Sequence, residues 1–329
     1  MSTSDLDTLV IGAGVSGLTT AVHLAETGRH VKLWSAEPPE STTSMAAGAM
    51  WGPYLVEPLD KVRVWSSRTL EVLRRLATVP DSGVRLVDGV EASRTPVAPP
   101  EWADQLEGFR MCQPNELPDG FVTGWRFIAP LVDMPAYLAY LRHRLAAAGG
   151  TIEIHRIDHL DELAGVARVV VNCTGIGARD LVPDPELTAI RGQLVIIGNP
   201  GITEFFAEDT GLSPDLLHIY PHGDTVVLGG VAVTGDCNLR PDPAVAAAIL
   251  SRCVEVDPRL RDAPVLDHRV GLRPTRPQVR VEAQHINDTI LIHNYGHGGA
   301  GVTLSWGCAV EVAQLSRTAV QPPSSSQGA

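Results

Sequence analysis

The sequence predicts an α/β protein in which a nucleotide-binding half built on parallel strands is interleaved with a second half built on a mixed β-sheet. Three observations carry that expectation. Residues 8–36 read as strand, glycine turn, amphipathic helix and second strand. From residue 190 the pattern changes to alternating, β-rich segments. At 288–316 the chain returns to a strand, a glycine-rich turn and a helix, which brings its last elements back to the first half. The expected division is therefore discontinuous. Residues 1–55, 130–180 and 285–318 form the nucleotide-binding domain, 56–129 and 181–284 belong mainly to the other, and 319–329 is a disordered tail.

The first element is the stretch "TLVIGAGVSGLTTAVHLAETGRHVKLWSAE". Gly12, Gly14 and Gly17 form G-x-G-x-x-G between the apolar run Leu9, Val10, Ile11 and a helical face carrying Leu18, Val22 and Leu24. In this context the glycines allow a tight turn, backbone approach to a pyrophosphate and close helix-to-strand packing. The first helical turn, with Val15 and Ser16, points its positive end at the phosphate. Glu37 stands at the spacing of a ribose-binding acid, and equally where a solvated loop carboxylate would stand.

Next comes "STTSMAAGAMWGPYL" (41–55), small and hydroxyl-bearing, suited to a second loop against phosphate and a flat ring. Regular alternation of strands and helices is poor from 41 to 130, which favours FAD over NAD(P). A helix is expected over 60–77, and another after Asp133 as N-cap with Pro135 in its first turn. Strands follow at 151–156 and 167–175; Thr174 and Gly175 close the second in a third cofactor loop. The β-rich part contains "IRGQLVIIG", "LLHIYP", "DTVVLGGVAV", "VLDHRVGLRP" and "QVRVEA", with a helix at 241–256. The last unit is strand 288–295, glycine loop 296–301 and helix 301–316. Its glycines let backbone pass against a flavin ring, and the helix N-terminus stabilises negative charge on the reduced ring.

Composition narrows the function. The chain has 329 residues, 44% hydrophobic and 19% charged, a globular balance with length for two domains. A net charge of −12 without a basic run argues against nucleic-acid and anionic-membrane partners. The five cysteines are scattered with no C-x-x-C pair, so neither a disulfide framework nor a metal site is expected. No secretory leader, targeting tail or long uncharged apolar run is read, and a cytoplasmic location is expected.

The motifs "VIGAGVSGL", "STTSMAAGAMWGPYL", "VVNCTG", "IRGQL", "GLRPTRPQVR" and "HNYGHGGAGVTLSWGCA" together resemble the D-amino-acid oxidase family of FAD enzymes, in family order and across nearly the whole chain. The resemblance implies a Rossmann-type FAD-binding domain interleaved with a mixed β-sheet substrate domain. It also implies oxidative deamination of D-amino acids to 2-oxo acids, ammonia and hydrogen peroxide, with molecular oxygen as acceptor. Arg273 matches the arginine that forks onto the substrate carboxylate, as a guanidinium's two parallel donors allow. Gly299 matches the carbonyl that accepts from the amine, Thr303 a flavin contact, and Thr42, Thr43, Ala49 and Met50 contacts of the second loop. Gly298, Gly301 and Val302 belong to the same ring-facing turn.

The match departs from the family in places. His218 occupies the slot of a family tyrosine, Tyr220 follows two residues later, and the preceding stretch 202–217 carries no second tyrosine for a lid. Ala300 stands where a bulky aromatic occurs, implying a roomier pocket. His218 and Tyr220 are assigned to the pocket; His218 is read as pocket-lining, with a proton-accepting or a core role as alternatives, and its protonation below about pH 6.5 as favouring acidic substrates. Arg276 and Arg280 read as salt-bridge or surface residues. The expected chemistry is hydride loss from Cα to the flavin under three-point positioning, with no protein base on carbon. A glycine- or sarcosine-type amine oxidase, a D-amino-acid dehydrogenase with another acceptor and a non-catalytic flavin-binding protein are the alternatives. A homodimer is left open, and the handedness rests on the resemblance alone.

Overall fold

The computed structural model describes residues 7–208 and 216–319. Residues 1–6, the tail assigned to 319–329 apart from Ala319, and positions 209–215 of the stretch read as a lid lie outside the described residues.

The chain opens with β1 (Thr8–Ile11), α1 (Val15–Glu26) and β2 (Val31–Ser35). Every residue of β1 is buried, as suits a strand covered on both faces. After the second loop come α2 (Leu59–Leu76), β3 (Val84–Ser93), β4 (Glu107–Met111) and β5 (Thr123–Val132). These three strands were not expected from the sequence. Asp88 and Gly89 interrupt the apolar pattern of β3, and Pro130 lies in β5 beyond Ile128, the last residue paired to β4. Beyond β4 that side of β5 meets the second loop, whose Trp51 N–H donates to Pro130 O at 2.9 Å, so the proline is not called on to donate.

Next are α3 (Met134–Ala147), β6 (Thr151–Ile154), β7 (Val169–Asn172), α4 (Ala178–Leu181), β8 (Thr188–Gly198), β9 (Phe205–Glu208), β10 (His218–His222), β11 (Thr225–Gly229) and β12 (Val233–Thr234). Asp133 is the N-cap of α3 by position, but its side chain makes no capping hydrogen bond. The chain ends with α5 (Pro243–Val256), β13 (Val265–Ile286), β14 (Thr289–His297) and α6 (Gly301–Thr318).

β14, β7, β1, β2 and β6 run parallel in that order. The other half has the order β4, β5, β3, β9, β10, β11, β8, β13 and is mixed, since β3 pairs parallel with β9 among antiparallel neighbours. β13 was read as two strands and is one of 22 residues. Its first part pairs with β8 and its second with β14, with a register shift between Thr275 and Arg280. Both halves therefore hang on a single hydrogen-bonded path.

The largest core lies between the sheet and α1, α2, α3 and α6, with Trp51, Trp65, Trp125, Phe127 and Trp306 among its buried residues. A second core, containing Ile219, Leu228, Ile249 and Cys253, holds α5 to the opposite face of the mixed half. Among the described residues no helix is long and apolar enough to cross a membrane, and no cluster of metal-ligating side chains is present.

Candidate active site

The site begins at the turn after β1. Gly12 has φ 105°, a conformation open to glycine, and a Cβ built on Gly17 would lie 1.8 Å from the Gly12 carbonyl oxygen. Helix α1 thus starts in direct backbone contact with the turn, and its N-cap residue Gly14 has no side chain to cap it. Val15 N–H donates to Ser44 Oγ at 2.9 Å, which ties the second loop to the helix start.

Around this turn runs an elongated cavity of about 880 Å³. Its wall brings together Gly12, Gly14, Val15 and Ser16 with Thr42 and Thr43 of the second loop and Thr174 and Gly175 after β7. Glu37, two residues beyond β2, lines it beside Arg156 and Asp158. Ala49, Met50, Gly298, Gly301 and Val302 line it further along, so the uncapped positive end of α6 faces the space. The carboxyl ends of parallel strands in an open α/β sheet are the expected place for such a site.

Two expected cofactor residues stand off the wall. Gly17 serves packing, as above. Thr303 is 2% exposed; its hydroxyl donates to Gly52 O at 3.1 Å and accepts from Gly52 N at 3.2 Å, fastening the second loop to α6. Ala300 is 1% exposed and also absent from the wall, so its small side chain does not enlarge the pocket. Strand β14 runs to His297, which shortens the expected 296–301 loop to the turn Gly298–Ala300.

Arg273, Gly299, His218 and Tyr220 line the cavity where it meets the mixed sheet. Arg273 Nη1 donates to Val231 O at 2.9 Å, and burial lowers the pKa of the guanidinium from its ordinary value, against the opposing effect of Tyr54. A Cβ on Gly299 would meet Tyr54 Cε1 at 3.5 Å and Arg273 Cδ at 3.8 Å, so the three converge. Gly192 of "IRGQL" makes room for the arginine: a Cβ there would lie 2.7 Å from Nη1.

His218 stacks on Tyr220, with ring centroids 4.4 Å apart and planes at 21°. Its Nδ1 lies 2.9 Å from Leu216 O; a carbonyl only accepts, so Nδ1 holds the proton and Nε2 is an acceptor. Nε2 is buried with no hydrogen-bond partner among the described residues. Burial pushes the imidazole pKa down to about 4, the Leu216 carbonyl opposing and the Arg273 and His222 charges adding to the fall. This corrects the expectation of protonation below pH 6.5: His218 is neutral through the physiological range. The Tyr220 phenol is pushed up by burial and then by the charge of Glu91.

Sequence reasoning missed Tyr54, Glu91 and Glu208 on this wall. Tyr54 lies within the quoted second-loop stretch, so its signal was present; the two acids sit in β3 and β9 with nothing local to mark them. Arg276 and Arg280 are outside the site as expected, joined with Asp184 and Tyr295: Arg276 Nε to Asp184 is 2.9 Å, and Tyr295 Oη donates to Asp184 at 2.7 Å.

Residues 7–315 match the family described as FAD dependent oxidoreductase. The chain is 48% identical over 314 residues to a D-amino-acid oxidase of Rubrobacter xylanophilus, covering 95% of this chain and 96% of that one. The chain belongs to the D-amino-acid oxidase family. A D-amino-acid oxidase of Streptomyces coelicolor is 46% identical over 314 residues, 94% of this chain and 97% of its own. Among solved structures, glycine oxidase from Geobacillus kaustophilus shares the fold with a TM-score of 0.79 at 20% identity, over 95% of this chain and 94% of that one. As a family member the protein is an FAD-dependent oxidoreductase, an enzyme and a flavoprotein. The cavity fits that cofactor: glycine backbone and a helix N-terminus for the pyrophosphate, Glu37 for a ribose, and the Gly298–Val302 turn for the ring.

Proposed function

We propose that the protein oxidises D-amino acids to 2-oxo acids, ammonia and hydrogen peroxide. The observation that carries this reading is the Arg273 guanidinium on the cavity wall, where the Gly298–Val302 turn meets the second loop. The relatives named D-amino-acid oxidase support the same reaction and supply the handedness.

Arg273 holds the α-carboxylate by a two-point fork, its stem packed against Gly299. The Gly299 carbonyl accepts from the amine, which turns Cα–H toward the ring. His218 stacks on Tyr220 in the wall and, neutral with a pKa of about 4, does not store the ammonium proton, which leaves to water. The substrate loses its Cα hydrogen with two electrons, and water hydrolyses the resulting imino acid to oxo acid and ammonia. FAD, when bound, supplies the two-electron acceptor that oxygen reoxidises, giving hydrogen peroxide. The protein's contribution is position and charge. On this reading 1–55, 130–180 and 285–318 hold the cofactor, and 56–129 and 181–284 mainly shape the substrate side.

The test is a panel of D- and L-amino acids, glycine and sarcosine with peroxide detection, repeated without oxygen while flavin bleaching is followed. Oxidation confined to D-amino acids with stoichiometric peroxide is expected. Bleaching without peroxide in air would convert the reading to a dehydrogenase, and oxidation of glycine or sarcosine alone to an amine oxidase.

A further inference from the structure

Helix α5 contributes no residue to the cavity wall, yet it reaches the backbone segment that holds Arg273. Between β11 and β12 the chain crosses three residues, Gly230, Val231 and Ala232, that the sheet ladder skips. Pairing with β8 runs up to Gly229 opposite Leu194 and resumes at Val233 opposite Arg191. On the other side, pairing with β10 stops at His218 opposite Gly229. The carbonyls in this gap are therefore not fixed by neighbouring strands.

Side chains hold them instead. Arg252 of α5 donates from Nη2 to Gly230 O at 2.9 Å, and Arg273 donates from Nη1 to Val231 O at 2.9 Å. Two guanidiniums from different elements thus bind consecutive carbonyls. Val231 joins the two peptide units, and a residue with a Cβ leaves few backbone angles open between them. Gly230 has wide freedom of its own, so the grip on its carbonyl decides where the Val231 carbonyl points. The next residue of α5, Cys253, is fully buried with Sγ 3.8 Å from His218 O and 3.9 Å from Gly229 O, which seats this part of the helix against the same hairpin. A guanidinium held at one Nη turns its remaining donors in a fixed plane, and a carboxylate takes two parallel N–H bonds only when it lies in that plane.

We infer that Arg252 is a positioning residue for the substrate carboxylate: acting through Gly230 and Val231, it sets the plane of the Arg273 fork from a helix that lies outside the cavity. The inference rests on the oxidase reading above, which makes Arg273 the carboxylate ligand, and adds to that contact a residue that touches neither substrate nor cofactor.

The test separates carboxylate binding from whatever else the helix supports. Holoenzyme of the parent, Arg252→Met and Arg252→Lys is titrated with hexanoate and with hexanamide, the same chain without the charge, and binding is followed by the flavin absorbance change. Only folded protein with flavin bound gives that signal. The parent is expected to favour hexanoate. Arg252→Met lowers the preference about tenfold, part of the roughly hundredfold loss that a 1 Å misplacement brings. It also raises KM for D-norleucine by about the same factor, with kcat within about threefold of the parent, as expected when binding rather than chemistry is weakened. Arg252→Lys, which again offers a charged donor to Gly230 O, recovers most of the preference. A purely structural Arg252 would lower the melting temperature and leave the hexanoate preference at the parent's value, which overturns the inference. An Arg252→Lys variant as impaired as Arg252→Met assigns the effect to packing and overturns it as well. Should Arg252→Met not hold flavin, Arg252→Gln takes its place, and flavin lost from both overturns the inference by showing that α5 holds the fold rather than the fork. A parent that binds the two ligands equally refutes the reading of Arg273 itself, a result distinct from an unchanged preference in the variants.

Discussion

Replacing Gly192 by alanine tests the carboxylate fork without touching it. The added methyl would stand 2.7 Å from Arg273 Nη1 and 2.8 Å from both Cζ and Nη2. Ordinary contacts lie near 3.5 to 4.0 Å, so about 1 Å of movement is needed. The backbone of β8 has little freedom to supply it: Gly192 is paired opposite Gly271 of β13, and on the other side β12 pairs at Arg191 and β11 from Leu194 onward. The guanidinium must move instead, giving up its bond to Val231 O. An arginine tip shifts without unfolding anything, so stability should change by less than about 1 kcal/mol and flavin content should hold. A fork displaced by about 1 Å loses its two-point fit, and misplacement of that size costs on the order of a hundredfold, about 2.7 kcal/mol of transition-state binding. Steady-state peroxide formation, thermal unfolding and visible flavin absorbance on one preparation measure all three. A kcat/KM within about threefold of the parent, with flavin bound, would show that Arg273 does not grip the substrate in this geometry.

Other substitutions and conditions separate site from scaffold. Gly17→Ala drives a methyl into the Gly12 carbonyl at 1.8 Å, where backbone meets backbone; it should destabilise by about 3 kcal/mol and empty the flavin, whereas Gly14→Ala meets only Ser44 Oγ at 3.1 Å and should retain the fold, both read by unfolding and bound FAD. His218, His293 and His297 are each held down to about 4 by burial. The unfolded chain therefore binds protons below about pH 6.5 that the folded one refuses, and the stability these groups contribute above that pH is lost as pH falls toward 4, by up to about 1.4 kcal/mol per unit for each; melting curves across the window check it. In kcat/KM between pH 5.5 and 8.5 no inflection should disappear on His218→Gln. Asp184→Asn removes the charge that faces Arg276 and accepts from Tyr295, and should cost about 3 kcal/mol of stability while turnover per bound flavin is kept.

The readable parts of the molecule are those whose determinants are local. The glycine turn, α1 and β2 repeat at helical and strand periods within thirty residues, and helix starts such as Pro135 and Pro243 carry their own signals. What escaped depends on distant partners. β3 reads as broken at Asp88 and Gly89, yet it is held between β5 and β9, and Gly89 is where the Phe205 ring crosses, 2.4 Å from a Cβ placed there. β13 reads as two strands because Pro274 and Pro277 punctuate it; the register shift between Thr275 and Arg280 carries it through while it changes partner. Glu91 suffered most: an acid in a strand looks solvent-facing, and only β9 and β10, more than a hundred residues later, place it on the cavity wall. The neutral state of His218 is likewise a product of burial that its own neighbours in sequence do not announce.

The continuous β13 also governs how this enzyme can be taken apart. A fusion of its substrate side onto another flavin scaffold, cut where β13 changes partner between Thr275 and Arg280, would split a 22-residue strand and part the segment paired with β8 from the one paired with β14. Workable crossovers lie in the turns flanking that strand, before Val265 and at Asn287–Asp288, so that it travels whole with one parent. Specificity in this scaffold is accordingly better exchanged side chain by side chain than by transplanting a module.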